Sequence, residues 1–520
     1  MNNGNTRERL SWGDALFLYL ERAGMPLNIA SVTVFEGDIS LDECIRTIES
    51  KLPRLPRYYQ RAVAPPFNIG FPSWEDDPKF DIRNHIKEVH LKRGTEAELK
   101  RLAGRVLSTV MDRAHPLWDI TLVHGLHRGH TAMIIRAHHC LADGIAGLGL
   151  MNVLLDATPA PVQPVSARRP HRPRKERDSL SLLLEGWISS YSDLLDRVLL
   201  AQSDLVNITE NFVGGQWPSQ EFARFLPELT APTERLFFNM TYQGPQKFVW
   251  VQIPTSAIKS IRRSCGGTHN DVVLTLITST LGRYAELHGD KIKGRSLRMM
   301  VPINVRGAND TSELGNRISL LPVTVPLGIR SPRKLLKAVH ERMDFLKRVR
   351  VAEWVSLAGG FLGAVPAPLQ ALVGPVASLL PVTPFNLVCT NLRGPDTPLF
   401  LCGKKMLRWY PYVPVGGEMA LNCAVLSYCG VTYFGFSGDV HAAPGLHRLE
   451  TLLKLSLADL LKTSEIGPVQ RKKIRPRLRS SEKVTTPAAK VAPPAPVNGT
   501  QLTSQPPPGK EAVPFAMAAD

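Results

Sequence analysis

Residues 136–147 read RAHHCLADGIAG, two adjacent histidines followed four residues later by Asp143-Gly144. The run leading in, TAMIIRAHH (131–139), is apolar and reads as a strand returning from the tight turn HRGH (127–130). From Asp143 onward the spacing changes to helical, with Ile145, Leu148, Met151, Leu154 and Leu155 on one face. The histidines therefore stand where a buried strand ends and a helix begins, a position that often carries functional groups. Three readings compete: a metal site, a proton-transfer site, and a structural turn whose imidazoles only satisfy nearby carbonyls. A metal needs three or four ligands. Adjacent strand residues point to opposite faces, and no other His/Asp cluster with ligand spacing stands out, so no metal is expected. Proton transfer fits better. A neutral imidazole is a suitable base for a hydroxyl near pH 7, Asp143 folds back to fix the loop, and Gly144 lets the backbone turn.

Outward from this motif the chain alternates strands and helices. Ser11 and Asp14 are spaced to cap a helix running to about Arg22, IASVTVFEG (29–37) reads as a strand, and Ser40 with Glu43 opens a helix to about Leu52. Residues 96–111 look helical and PLWDITLVHGL (116–126) reads as a strand that pairs with 131–139. Beyond a Pro/Arg-rich stretch (157–178) and a helical one (179–212), a second α/β region starts near residue 235. Its expected elements are strand 248–254, helix 270–287, strands 296–306 and 317–327, helix 332–349, strand 385–391, hairpin 420–438 and a helix near 445–462. The reading divides the chain into 1–156, a linker and connecting helix 157–215, 216–465, and a basic, Pro-rich tail 466–520 that buries too little to fold.

The 63 Lys and Arg against 46 Asp and Glu leave a net charge of +17. Two runs concentrate it: RRPHRPRKERD (168–178) and RKKIRPRLR (471–479). Both lie in proline-broken stretches with no nucleic-acid motif beside them, so solvation or an anionic lipid surface is expected and nucleic acid is not. Seven scattered cysteines with no Cys-x-x-Cys pair argue against a disulfide framework and suit a reducing compartment. The first residues hold no apolar signal-peptide core. Trp354–Leu392 carries no charge over 39 residues, yet five prolines interrupt it. That leaves buried core segments or short apolar helices at a lipid surface.

The HHxxxDG form of His138, His139, Asp143 and Gly144 resembles the coenzyme-A-dependent acyltransferase superfamily. Companion segments resemble the bacterial wax ester synthase/diacylglycerol acyltransferase family in the same order. They are SWGDALFLYLE (11–21), Pro116-Leu117-Trp118, Asn270-Asp271-Val272-Val273-Leu274, VPINVR (301–306), ELGN (313–316), NLRGP (391–395) and 410–436. Each is weak alone and the ordered set is specific. Two departures stand out: NLRGP has Leu-Arg where Val-Pro is common, and PLNI (26–29) replaces Pro-Met-His.

This resemblance implies two chloramphenicol-acetyltransferase-like α/β domains with mixed sheets and the active site in the cleft between them. The implied reaction moves a fatty acyl group from acyl-CoA, a co-substrate, to diacylglycerol or a long-chain fatty alcohol, with no further cofactor. His139 would be the general base, acting without an acyl-enzyme. His138 would pack or hydrogen-bond beneath it, Asp143 would hold the loop by pairing with Arg306, and Cys140 would be a bystander. Asn270 and Asp271 follow Thr268 at a helix start. They suit capping or placement of the Asn side chain and free N–H groups near an oxyanion or the pantetheine arm. Pro116, Leu117 and Trp118 would be core or would shape an acyl tunnel. Attachment to the inner face of the membrane or to lipid inclusions is expected, with the protein otherwise cytoplasmic. Two alternatives stay open: a condensation-type enzyme using a carrier-bound acyl donor, and a non-catalytic lipid-binding protein of the same fold.

Overall fold

The computed structural model of the chain describes residues 8–142, 144–160, 225, 227–228, 231–304, 318–351, 367–377 and 384–465. The expected helix 179–212, both basic runs and the tail beyond 466 lie outside the described residues.

The first elements are α1 (Trp12–Leu20), β1 (Asn28–Phe35), α2 (Leu41–Lys51), β2 (Gln60–Val63), β3 (Ser73–Asp76), α3 (Ile82–His85) and β4 (Ile86–His90). Then come α4 (Glu96–Leu107), β5 (Trp118–His124), β6 (Thr131–His138) and α5 (Gly144–Leu154). The second region supplies β7 (Gln246–Pro254), α6 (Thr255–Cys265), α7 (His269–Leu287), β8 (Ser296–Asn304), β9 (Ile318–Pro326) and α8 (Pro332–Arg348). It continues through α9 (Ala367–Ala377), β10 (Leu387–Arg393), β11 (Phe400–Leu401), β12 (Lys404–Tyr412), β13 (Leu421–Tyr428), β14 (Val431–Asp439) and α10 (Arg448–Glu465). The expected caps form: Ser11 accepts from the Asp14 N–H and Ser40 from the Glu43 N–H.

The strands build two mixed six-stranded sheets, as the resemblance implied, and a small β2–β3 ribbon. The first sheet runs β11-β12-β1-β6-β5-β4, antiparallel except for β4 beside β5. The second runs β7-β14-β13-β10-β8-β9, with β10 parallel to both neighbours. Every residue of β6 is buried, which explains its nearly unbroken apolar run. Its one charge, Arg136, is held by Asp119 opposite it on β5 through two 2.7 Å bonds. The same guanidinium bonds the Thr109 carbonyl at 2.8 Å and so anchors the end of α4.

Several elements escaped the sequence reading: β2, β3, α3, β4, α6, β11 and β12. β12 matters most, because this strand from the second region completes the first sheet by pairing with β1. It also stacks on the second sheet. Trp250 of β7 lies flat on Tyr410, with centroids 4.6 Å apart, and Phe248 meets Tyr412 edge-on. The Tyr412 hydroxyl donates to Gln246. At Gly435 of β14 the sheets approach so closely that a Cβ would lie 2.0 Å from the Pro411 carbonyl oxygen. Gly435→Ala should therefore force the sheets apart and lower stability by roughly 1–3 kcal/mol or more. Chemical denaturation measures this, and an unchanged midpoint would mean that the contact yields freely.

Candidate active site

Three strand ends converge on the histidines. The His138 N–H donates to the Leu117 carbonyl and the His139 N–H to the Leu27 carbonyl, both at 2.9 Å. β6 stops at His138, and the Leu141 N–H returns to the His138 carbonyl, closing a turn that carries His139. The strand thus ends one residue short of the expected 131–139, leaving His139 in the turn, and the two rings still take different sides.

His138 is fully buried. Its Nδ1 accepts from the Cys140 N–H at 3.1 Å, so this nitrogen carries no proton and Nε2 does. Nε2 lies 3.4 Å from Oε1 of Glu21, close but off good hydrogen-bond alignment. Glu21 follows α1 and its side chain is 1% exposed. Burial opposes its charge, but His138, the Leu27 N–H and Arg113 outweigh burial and hold the carboxyl below its usual range. Sequence reasoning missed Glu21 as a functional group; it lay within the quoted segment SWGDALFLYLE, read there only as a helix end.

His139 is half-buried and stacks on Phe17 of α1, with ring centroids 3.8 Å apart and planes 12° from parallel. Its Nδ1 is buried without a hydrogen-bond partner. Burial lowers the imidazole to about 4, and neighbouring His138 adds to the effect. The ring is therefore neutral at pH 7. Cys140 is buried, which pushes its thiol well above the ordinary range and makes it a poor nucleophile. Helix α1 thus serves both histidines, with Phe17 against one ring and the adjoining Glu21 against the other.

Pro116-Leu117-Trp118 adjoins the motif directly. Leu117 supplies the carbonyl for His138, and Trp118 opposes Ala137 in the sheet. Leu117 is fully buried; Trp118 stacks on His85 and donates from its indole to the Tyr58 carbonyl at 2.8 Å. The PLNI segment flanks the same place, since Leu27 grips His139 and buried Asn28 pairs opposite His138. Asp143 and Arg306 lie outside the described residues, as does the side-chain environment at Gly144; Gly144 itself begins α5.

The Asn270-Asp271 pair resolves into two tasks. Thr268 caps α7, and Asp271 closes the box by accepting from the Thr268 N–H at 2.8 Å. Asp271 also receives His340 at 2.8 Å, while its second oxygen is buried and unpartnered. Asn270 is not the cap; its side-chain oxygen accepts from Asn391 of β10 at 2.9 Å. That bond ties the NLRGP segment to the first turn of α7. Among the described residues, no group of three or more His, Cys, Asp or Glu side chains is placed to hold a metal.

Residues 10–273 match the wax ester synthase/diacylglycerol acyltransferase catalytic domain, and 314–461 match the C-terminal domain of the same family. The chain belongs to this family. A probable diacylglycerol O-acyltransferase of Mycobacterium tuberculosis is 26% identical over 464 residues, spanning 88% of this chain and 97% of that protein. A second one from that organism is 27% identical over 459 residues, covering 86% and 97%. Among solved structures, the wax ester synthase/diacylglycerol acyltransferase of Marinobacter aquaeolei VT8 superposes with a TM-score of 0.60 at 21% identity. The match covers 88% of this chain and all of that one. The first condensation domain of the calcium-dependent antibiotic synthetase gives 0.56 at 15% identity, covering 89% and 97%. These two likenesses concern the fold.

The lowered pKa of His139 has a definite pH consequence. Below about 6.5 the unfolded chain takes up a proton that the folded imidazole refuses down to about 4. Stability contributed here is complete above pH 6.5 and is lost as pH falls toward 4. Activity that needs neutral His139 should keep its plateau below pH 6.5. A kcat/KM profile whose acid limb centres at or above 6.5 would contradict this environment for the ring.

Proposed function

We propose that this family member transfers a fatty acyl group from acyl-CoA to the hydroxyl of diacylglycerol or a long-chain fatty alcohol, with His139 as general base. The observation that carries the assignment of the base is the environment of His139. It is a neutral ring held flat on Phe17, with Nδ1 buried and without a hydrogen-bond partner. Nε2 takes the hydroxyl proton while the oxygen attacks the thioester carbon. The tetrahedral intermediate collapses, the carbon–sulfur bond breaks, and the imidazolium returns the proton to the CoA thiolate. The acyl group passes directly to the acceptor, in keeping with an inert Cys140. His138, oriented by Cys140 N–H and Glu21, positions the turn that carries the base. The acceptor named for the mycobacterial relatives supports diacylglycerol.

His139→Ala should remain folded and lose at least about 100-fold in ester formation from palmitoyl-CoA, tested with diacylglycerol and with hexadecanol. Retention of wild-type turnover would rule out this base.

The basic runs at 168–178 and 471–479 and the uncharged stretch 354–392 support work at an anionic membrane or a lipid-inclusion surface. Among the described residues no helix is long and apolar enough to cross a membrane. Peripheral attachment of this kind predicts sedimentation with anionic vesicles that weakens as salt rises; equal binding to neutral vesicles at every ionic strength would argue for apolar anchoring alone. We further infer that the functional division follows residues 1–156 and 216–465, with 157–215 between them.

A further inference from the structure

A cationic corner lies apart from the two histidines, where α6 ends, α7 begins and β10 stops. Gly266 and Gly267 join the helices with φ of 82° and 84°, a left-handed pair that turns the chain sharply from one axis to the next. The Asn391–Asn270 bond draws the end of β10 onto the first turn of α7. Two residues further on, Arg393 is 84% exposed. Lys259 and Arg262 of α6 are also exposed, and neither has an acidic partner among the described residues. Half-buried His269 is the first residue of α7. Its proton affinity is lowered by burial and then by Arg262, Lys259 and Arg393, so all three cations bear on one point. Arg393 also meets Asp396 at 3.1 Å, a pair open to solvent and therefore weak enough for another anion to displace.

Among the described residues nothing neutralises this corner fully, so an exposed cluster of one lysine and two arginines invites a multiply charged anion. Its place favours a particular one. It adjoins Asn270, and β10 packs against α5, the helix launched by the histidine motif. An acyl-CoA has its charge at the far end from its reacting thioester, in a diphosphate and a 3′-phosphate. Held here, these groups would leave the uncharged pantetheine arm to run past Asn270 and β10 toward His139.

We propose that Lys259, Arg262 and Arg393 form the phosphate-binding site for the nucleotide end of the acyl donor. The assignment rests on the acyl-CoA reading above. It concerns where the donor is held, not how the ester forms.

The test compares the full-length protein with K259Q/R262Q/R393Q. Each solvent-exposed contact of this kind to a phosphate is worth roughly a factor of two to five. The KM for palmitoyl-CoA should therefore rise roughly ten- to a hundredfold while kcat changes little. The penalty should shrink for palmitoyl-pantetheine, which has no phosphate. Calorimetry with free CoA should show the same loss of affinity without any turnover, and dephospho-CoA separates the 3′-phosphate from the diphosphate. Equal KM values and equal CoA affinities in the two proteins would overturn the site. If wild type turns over no acyl-CoA yet binds CoA through these residues, the site stands and the acyl-transfer reading fails. Loss of binding to anionic vesicles with CoA affinity intact would assign the corner to lipid headgroups and overturn the proposal. If the triple variant does not fold, Arg393→Gln alone is read in the same assays. A KM for palmitoyl-CoA in wild type that is indifferent to salt would then count against the site.

Discussion

Two adjacent imidazoles at the end of one buried strand cannot share an environment. Successive side chains leave a strand on opposite sides, and the ends of β1 and β5 hold the backbone so that the alternation persists into the turn. Leu117 and Leu27 supply the carbonyls, one for each histidine N–H. From that grip follows the separation of roles. His138 enters the interior, where Glu21 faces one nitrogen and a backbone N–H the other. His139 stays at the boundary, stacked on Phe17 and kept neutral by burial. Among the described residues no group of three or more His, Cys, Asp or Glu side chains gathers around these rings to hold a metal.

Much of the surrounding fold keeps this turn rigid. Arg136, two residues before the pair, joins β6 to β5 through Asp119 and to the end of α4 through the Thr109 carbonyl. A buried guanidinium in a central strand is costly unless its donors are met; here the partners come from two neighbouring elements. The second region contributes as well. β12 closes on β1, and its rings pack against β7 so tightly that Gly435 tolerates no side chain. The first sheet is therefore not the product of one continuous segment, and the strand bearing the histidine pair sits inside an assembly drawn from both ends of the chain.

The Asn270-Asp271 pair shows how one short motif can divide its labour. Asp271 completes a capping box and receives His340, tasks that stabilise a helix end. Asn270 reaches across to Asn391, linking that end to β10. The reading from sequence held capping and chemistry as alternatives for the pair. The fold gives capping to Thr268 and Asp271, and sets Asn270 between the helix, the strand and the cationic corner.

What the sequence by itself determined is what local periodicity and ordered motifs can carry: the strand-to-helix setting of RAHHCLADGIAG, the principal helices with their Ser caps, a scatter of cysteines that form no disulfide framework, and the family. Asp143 and Arg306, expected to brace the loop, lie outside the described residues. Only the tertiary structure decided that Glu21 sits beside His138, that Phe17 covers His139, and that 404–412 belongs to the first sheet. The reason is physical. A helix period tells which face is apolar but not which residue of another segment it will meet, and a strand's pattern is the same whichever sheet accepts it. Partners more than a hundred residues apart, such as Glu21 and His138, become neighbours only when the whole sheet closes around them.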